Sequence, residues 1–274
     1  MQSQLHFPQF FSDDPANAMA YTETGAGDIL LLVHGSLCDY RYWRWQFAAL
    51  GQRHRVIAPS LRGYWPAALQ TREPSFNVAQ HTDDLIGFIR RQLGGQRLHL
   101  LGHSRGAHVA LEASLKAPDL IRSLVLADPG FRIEPNSATH NFLPEVARQL
   151  ETGEVDAALA CFIDTVNGAG TWRHMVSWFK NMVRDNAYTL VSQAREIDLV
   201  FDPSQAARLK CPVLLLGGEN SPPRYGQVID ALMQHIPQAE RDTIPLAAHG
   251  MNLANPKAFN ERVLRFTAAA AAQY

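Results

Sequence analysis

The sequence predicts an α/β fold: a mostly parallel central sheet with helices on both faces. Three observations support that expectation. Apolar runs of strand length alternate with helix-like segments along most of the chain, the pattern of a parallel sheet covered on both sides. A G-x-S-x-G pentapeptide, Gly102-His103-Ser104-Arg105-Gly106, stands between the apolar run Leu98 to Leu101 and the helix-forming stretch Ala107 to Lys116. A serine in so sharp a strand-to-helix turn has its hydroxyl presented at the carboxyl end of the sheet. Finally, 274 residues suit one large α/β domain or a domain with an insertion, and a chain of this size buries roughly three quarters of its unfolded surface.

Taken in order, Ile29 to Val33 is a continuous apolar strand, and Arg55 to Ala58 is a second, ended by Pro59. A helix is expected from Val78 to Leu93. Leu98 to Leu101 forms the strand that leads into Ser104, and Ser123 to Ala127 follows the next helix. Pro212 to Leu216 is a late strand, Arg224 to His235 a helix, Glu240 to Ile244 a weaker last strand, and Pro256 onward a final helix. About 85 residues separate Ala127 from Val213, too many for a loop or a single crossover. Within them Trp172, Val176, Phe179 and Val183 recur at i, i+4, i+7 and i+11, which predicts one face of a single helix.

The formal net charge of −1 provides no electrostatic reason to expect a nucleic-acid or anionic-membrane partner. Cys38, Cys161 and Cys211 are odd in number, widely spaced and in no metal-ligand pattern, which fits a reducing compartment. Met1 to His6 lack the features of a signal peptide, and no apolar run approaches the roughly 18 residues of a membrane span. A cytoplasmic protein acting on a small molecule is expected. No phosphate loop, dinucleotide fingerprint or ligand cluster implies a cofactor or a metal. The oligomeric state is open.

Two more features join the pentapeptide. His34-Gly35-Ser36 directly follows an apolar strand, and His249-Gly250 lies just beyond the last predicted one. With serine, acid and histidine in that chain order, the sequence resembles the α/β-hydrolase superfamily from about Ala20 to Phe266. The resemblance implies a core from residues 1–130 and 206–274. A helical cap, 131–205, would be inserted after the sixth strand of the fold. It also implies that Ser104 is the nucleophile and His249 its base, an imidazole being able to accept and return a proton near neutral pH. The backbone amides of Arg105 and of Ser36 or Leu37 would hold the oxyanion, where losing one donor typically costs about 2.7–4 kcal/mol of barrier. His34 reads as a turn residue, and His103 and His108 as packing or hydrogen-bonding residues.

The acid departs from the family pattern. Where G-x-x-D is usual, this chain has Gly218-Glu219-Asn220-Ser221, and serine cannot hold a charge beside an imidazolium. Asp128, directly after the sixth strand, and Glu219 are the substitutes, with Asp128 preferred. Tyr64 and Trp65 are candidate pocket walls, and Asp39 to Trp43 a candidate pocket entrance. Arg41, Arg62 and Arg105 either recognise a substrate carboxylate or pair with neighbouring acids. A serine at the turn rules out the alkyl-ester chemistry of haloalkane dehalogenases and cap-bearing epoxide hydrolases. It implies a serine hydrolase of a small ester, lactone or related acyl compound, working through an acyl-enzyme on Ser104. A carbon–carbon bond hydrolase of the aromatic-degradation type and a non-catalytic ligand-binding member of the fold are the alternatives.

Overall fold

The computed structural model describes residues 8–13, 18–70, 74–134 and 142–272. Met1 to His6, read above for a leader, lie outside the described residues. Eight strands form one sheet in the order β1-β2-β4-β3-β5-β6-β7-β8. They are β1 (Phe10–Phe11), β2 (Ala20–Thr24), β3 (Ile29–Val33), β4 (Arg55–Pro59), β5 (Leu98–His103), β6 (Ile121–Ala127), β7 (Val213–Gly218) and β8 (Glu240–Ile244). From β4 to β8 every neighbouring pair is parallel, while β1 and β2 run antiparallel at one edge. The sequence reading missed those two. Ala20-Tyr21-Thr22-Glu23-Thr24 has no apolar run: it lies between β1 and β4, with Ala20, Tyr21 and Thr22 buried but Glu23 and Thr24 reaching towards solvent at its end.

The helices are α1 (Phe47–Leu50), α2 (Val78–Gln92), α3 (Arg105–Lys116), α4 (Leu143–Glu151), α5 (Val155–Asn167), α6 (Thr171–His174), α7 (Ser177–Asp185), α8 (Thr189–Ala194), α9 (Pro223–His235), α10 (Met251–Ala254) and α11 (Pro256–Ala271). Alternation along the strands builds two cores. Leu31, Val33, Leu100, Leu126 and Leu215 face α2, α3 and α9, whereas Leu30, Leu32, Leu101, Val125 and Leu214 face α1 and α11. Asn77 and Asn255 start α2 and α11 by accepting the backbone N–H of Gln80 and Ala258 on their side chains.

Helices α4 to α8 fill the long interval between β6 and β7 and have an apolar cluster of their own, including Val146, Leu159, Phe162 and Leu190. A lone bridge between Arg132 and Val200 ties the two ends of the interval together. The single helix expected through Trp172 and Val183 is instead two. Met175 and Val176 are extended, so α6 stops and α7 restarts with exposed Val176 as its N-cap residue. Trp172, Phe179 and Val183 still pack into the apolar cluster of these helices while Val176 leaves it for solvent, and Lys180 and Arg184, one and two turns into α7, lie over the Trp172 ring.

Burial of imidazoles sets an acid limit to this fold. Complete burial in the turn after β3 pushes His34 down to about 4. Burial, then the neighbouring His54, does the same for His99 inside β5. With both folded values below the ordinary 6.5, the unfolded chain binds more protons between pH 4 and 6.5. Stability therefore climbs through that window and is level above it. Each imidazole is expected to remove on the order of 2–3 kcal/mol by pH 4.5, which urea titrations at pH 7.5 and 4.5 would measure. Equal midpoints at the two values would contradict this.

Candidate active site

Strands β3 and β5 are neighbours although β4 separates them in sequence, so the winding direction reverses between them. A crevice opens at their carboxyl ends at such a point. The turn after β3 and Ser104, directly after β5, lie on its two sides. A Cβ added to Gly35 would sit 3.0 Å from that of Ser104, which measures how closely the two turns approach. Gly106 is required for the same reason. A side chain there would fall 2.3 Å from the Val33 carbonyl oxygen and 2.4 Å from that of His34.

Ser104 has φ 55° and ψ −120°, a conformation that costs a residue with a side chain on the order of 1–3 kcal/mol. Hydrogen bonds on both sides hold it there. Its N–H donates to Ala127 O at 3.0 Å, and its carbonyl accepts from Ala107 N at 3.0 Å and Gly130 N at 3.3 Å. Arg105 opens α3 immediately afterwards, so its N–H belongs to the positive end of that helix. Leu37 (φ 60°), Asp128 (φ 39°) and Leu246 (φ 55°) are the other left-handed non-glycine residues among those described. Leu37, Ser104 and Asp128 follow the adjacent strands β3, β5 and β6 at their carboxyl ends, so these three strained positions lie about the crevice, whereas Leu246, after β8, is exposed.

Asp128 is fully buried behind the crevice. Its Oδ2 lies 3.1 Å from His249 Nδ1 and accepts from Ser221 Oγ at 2.5 Å, while Oδ1 accepts from Gly218 N at 3.3 Å. Ser221, at the position where the family usually has its acid, thus donates to Asp128. Glu219 turns away, its Oε2 accepting the Leu246 N–H at 2.7 Å on the exposed side. The structure brings Asp128, and not Glu219, to His249.

Tyr225, which the sequence reading does not single out, and His103 frame His249. The Tyr225 ring stacks on the imidazole at 4.1 Å and 9°, and its hydroxyl donates to Val166 O at 3.1 Å, tying α9 to the end of α5. His103 approaches from the other side, its Nε2–H donating to the His249 carbonyl at 2.7 Å. Burial, and next the adjacent His249, hold His103 well below 6.5 and so keep it a neutral donor. His34 bridges two turns, with Nδ1–H donating to Gly35 O at 2.9 Å and Nε2 accepting from Leu61 N at 3.0 Å. His108 packs on Phe131, with ring centroids 4.7 Å apart. The tyrosine gives no signal in the sequence, where it is one apolar position of an amphipathic helix.

A cavity of about 500 Å³ opens at Ser104, walled by residues 129–134, α9, α4, α5 and the segment after α8. Ser36, Arg105, Gln193 and Glu196 form its polar end, and Phe131, Phe142, Phe162 and Tyr225 belong to its apolar wall. Ser36 Oγ donates to Gln193 Oε1 at 2.7 Å, and Gln193 Nε2 donates to Tyr64 OH at 3.0 Å. Tyr64 and Trp65 are not on this wall. Tyr64 is buried against His34 and Phe76, and Trp65 packs between Tyr40 and the Arg41 guanidinium. Tyr40 to Trp43 form a largely buried 3-10 turn beneath Trp65 and are not among the residues that line this cavity. Of the three arginines considered for carboxylate recognition, Arg41 is paired with Asp39 and Asp185, and Arg62 with Asp84. Only Arg105 faces the cavity, and it is paired with Glu196.

A model of the alpha/beta hydrolase family matches residues 30–262, and the chain belongs to that family. It is a hydrolase of the α/β class. A candidate carbamate hydrolase, RutD of Caulobacter sp. (strain K31), is 26% identical over 247 residues, which are 84% of this chain and 87% of that protein. Among solved structures, a thermophilic esterase from Thermogutta terrifontis superposes with a TM-score of 0.78 at 23% identity, covering 97% of this chain and 99% of its own. The enol-lactonase from Burkholderia xenovorans LB400 does so at 0.78 and 21%, covering 94% and 100%. Among the described residues, no helix is long and apolar enough to cross a membrane.

Proposed function

We propose that the protein is a serine hydrolase of small esters, lactones or related acyl compounds, working through an acyl-enzyme on Ser104. The observation that carries this reading is the strained Ser104 on the wall of a cavity that Tyr225 also lines, with His249 stacked on that Tyr225 ring and held by the buried Asp128. A fold gains nothing from a serine at φ 55° unless its hydroxyl is used. In this reading Ser104 Oγ attacks the acyl carbon while His249 Nε2 takes its proton. Asp128 keeps Nδ1 protonated and balances the imidazolium. The N–H groups of Arg105 and Ser36 receive the oxyanion, His249 returns the proton to the leaving alcohol, and water then repeats the sequence to free the acid. The segment 131–205 acts as a cap, since α4 and α5 close the cavity above residues 129–134. The three relatives described above act, by their names, on a carbamate, an ester and an enol-lactone, each an acyl compound.

A fluorophosphonate probe tests the reading directly. Labelling mapped to the Ser104 peptide, with matching loss of p-nitrophenyl acetate hydrolysis, is expected. An unlabelled serine and no turnover on esters or lactones would favour a ligand-binding role instead. Within the same mechanism Tyr225→Phe is expected to keep most activity. Tyr225→Leu should lower kcat about tenfold, since a ring face over an imidazolium is worth about 0.5–2 kcal/mol. Equal kcat for the two variants would show that the stacked ring is packing only.

A further inference from the structure

The polar end of the cavity contains an ion pair whose halves come from different parts of the chain. Arg105, next to Ser104 in the first turn of α3, donates from Nη2 to Glu196 Oε2 at 2.6 Å. Glu196 follows α8, and its Oε1 accepts the N–H of Val78, the first residue of α2, at 2.6 Å. Both side chains line the cavity that holds Ser104, and both are only 11% exposed. The guanidinium also lies 5.6 Å from the Phe76 ring, and its Nε is buried without an acceptor. An unpaired arginine in this place would draw a substrate carboxylate towards the nucleophile with the bidentate geometry that guanidinium favours. Glu196 occupies that position.

Resting on the serine-hydrolase reading, we propose that Glu196 determines the charge of the substrate. It cancels Arg105, so the site takes uncharged acyl groups and rejects acyl chains that end in a carboxylate. An entering carboxylate would have to displace Glu196 from a buried guanidinium and from the N-terminus of α2, while meeting its charge at close range. Low exposure makes that repulsion strong, because water screens it little. The other cations on the wall, Arg132 and Arg224, donate to the carbonyls of Ile197 and Thr165, and Glu134 and Asp230 face the same cavity. These groups are common to every variant compared below, so they do not affect the differences.

Ethyl butyrate and monoethyl succinate test the idea, because their four-carbon acyl groups differ only in a terminal methyl or carboxylate. Wild type is expected to favour butyrate by at least a hundredfold in kcat/KM. Glu196→Gln keeps the acceptor for Val78 but frees Arg105, and should shift the ratio towards succinate by tenfold or more. Arg105→Gln keeps the backbone amide but leaves Glu196 uncompensated, and should shift the ratio the opposite way. A pair with only a structural role would lower both activities and leave the ratio unmoved, which would overturn the proposal. So would equal use of the two esters by wild type. Calorimetry with butyramide and succinamate reads the same ratio as binding without any chemistry, and fluorophosphonate labelling of Ser104 is scored separately. Failure of the charge rule is thereby distinguished from failure of the serine mechanism.

Discussion

Ser104→Ala is expected to lower kcat for p-nitrophenyl acetate by on the order of 10⁵–10⁶, the loss typical when a triad nucleophile is removed. The size of the effect follows from the division of labour in the site. In the proposed mechanism no acyl-enzyme forms without Oγ, and His249 and Asp128 have no proton to move. The oxyanion donors and the cavity persist and leave some acceleration over water. Folding should respond differently. Alanine keeps a Cβ, so the strain at φ 55° remains and the melting temperature should stay close to that of wild type. Ser104→Gly removes the strain as well as the nucleophile and should raise stability by about 1 kcal/mol. An inactive protein that melts higher than its parent is therefore expected. Activity that survived both changes would mean that another side chain attacks, and a glycine variant that melted lower would mean that the turn is not strained.

The frame around this serine was legible because each part rests on short-range chemistry. A sharp turn packed against β3 needs glycine at 106, and fully buried parallel strands need unbroken Leu and Val runs, so the elements around Ser104 stand within a few residues of where the sequence predicts them. Chain order alone put His249 after the last strand. What side chains reach was less legible. Tyr64, Trp65 and the Asp39 to Trp43 stretch look like pocket residues on grounds of size and proximity, yet they pack under the loops that follow β3 and β4. Nothing in a one-dimensional pattern distinguishes an aromatic ring lining a cavity from one buried below it. The polar end of the cavity was hidden for a related reason. Gln193 and Glu196 meet Ser36 and Arg105 across separations of 157 and 91 residues, with no periodicity to link them.

The acid is where sequence and structure together lead to the second large effect. Asp128→Asn is expected to lower kcat by on the order of 10⁴, because the amide leaves Nδ1 of His249 without an anion and favours the wrong tautomer. Ser221 makes this testable in the other direction. Its Oγ lies 2.5 Å from the Asp128 oxygen that faces His249, so a carboxylate at 221 would arrive beside the same imidazole nitrogen. The double variant Asp128→Asn with Ser221→Asp should therefore recover activity by tenfold or more over Asp128→Asn alone. Ser221→Asp by itself should be destabilising, since two carboxylates would then share one buried space. Ser221→Ala should cost only severalfold in kcat, the loss of one donor that orients Asp128. Rescue by the double variant would show that the acid has moved between strands while its working position has not. A small effect of Asp128→Asn, with a large one for Glu219→Gln, would return the role to Glu219 and require the loop after β7 to reorganise around His249.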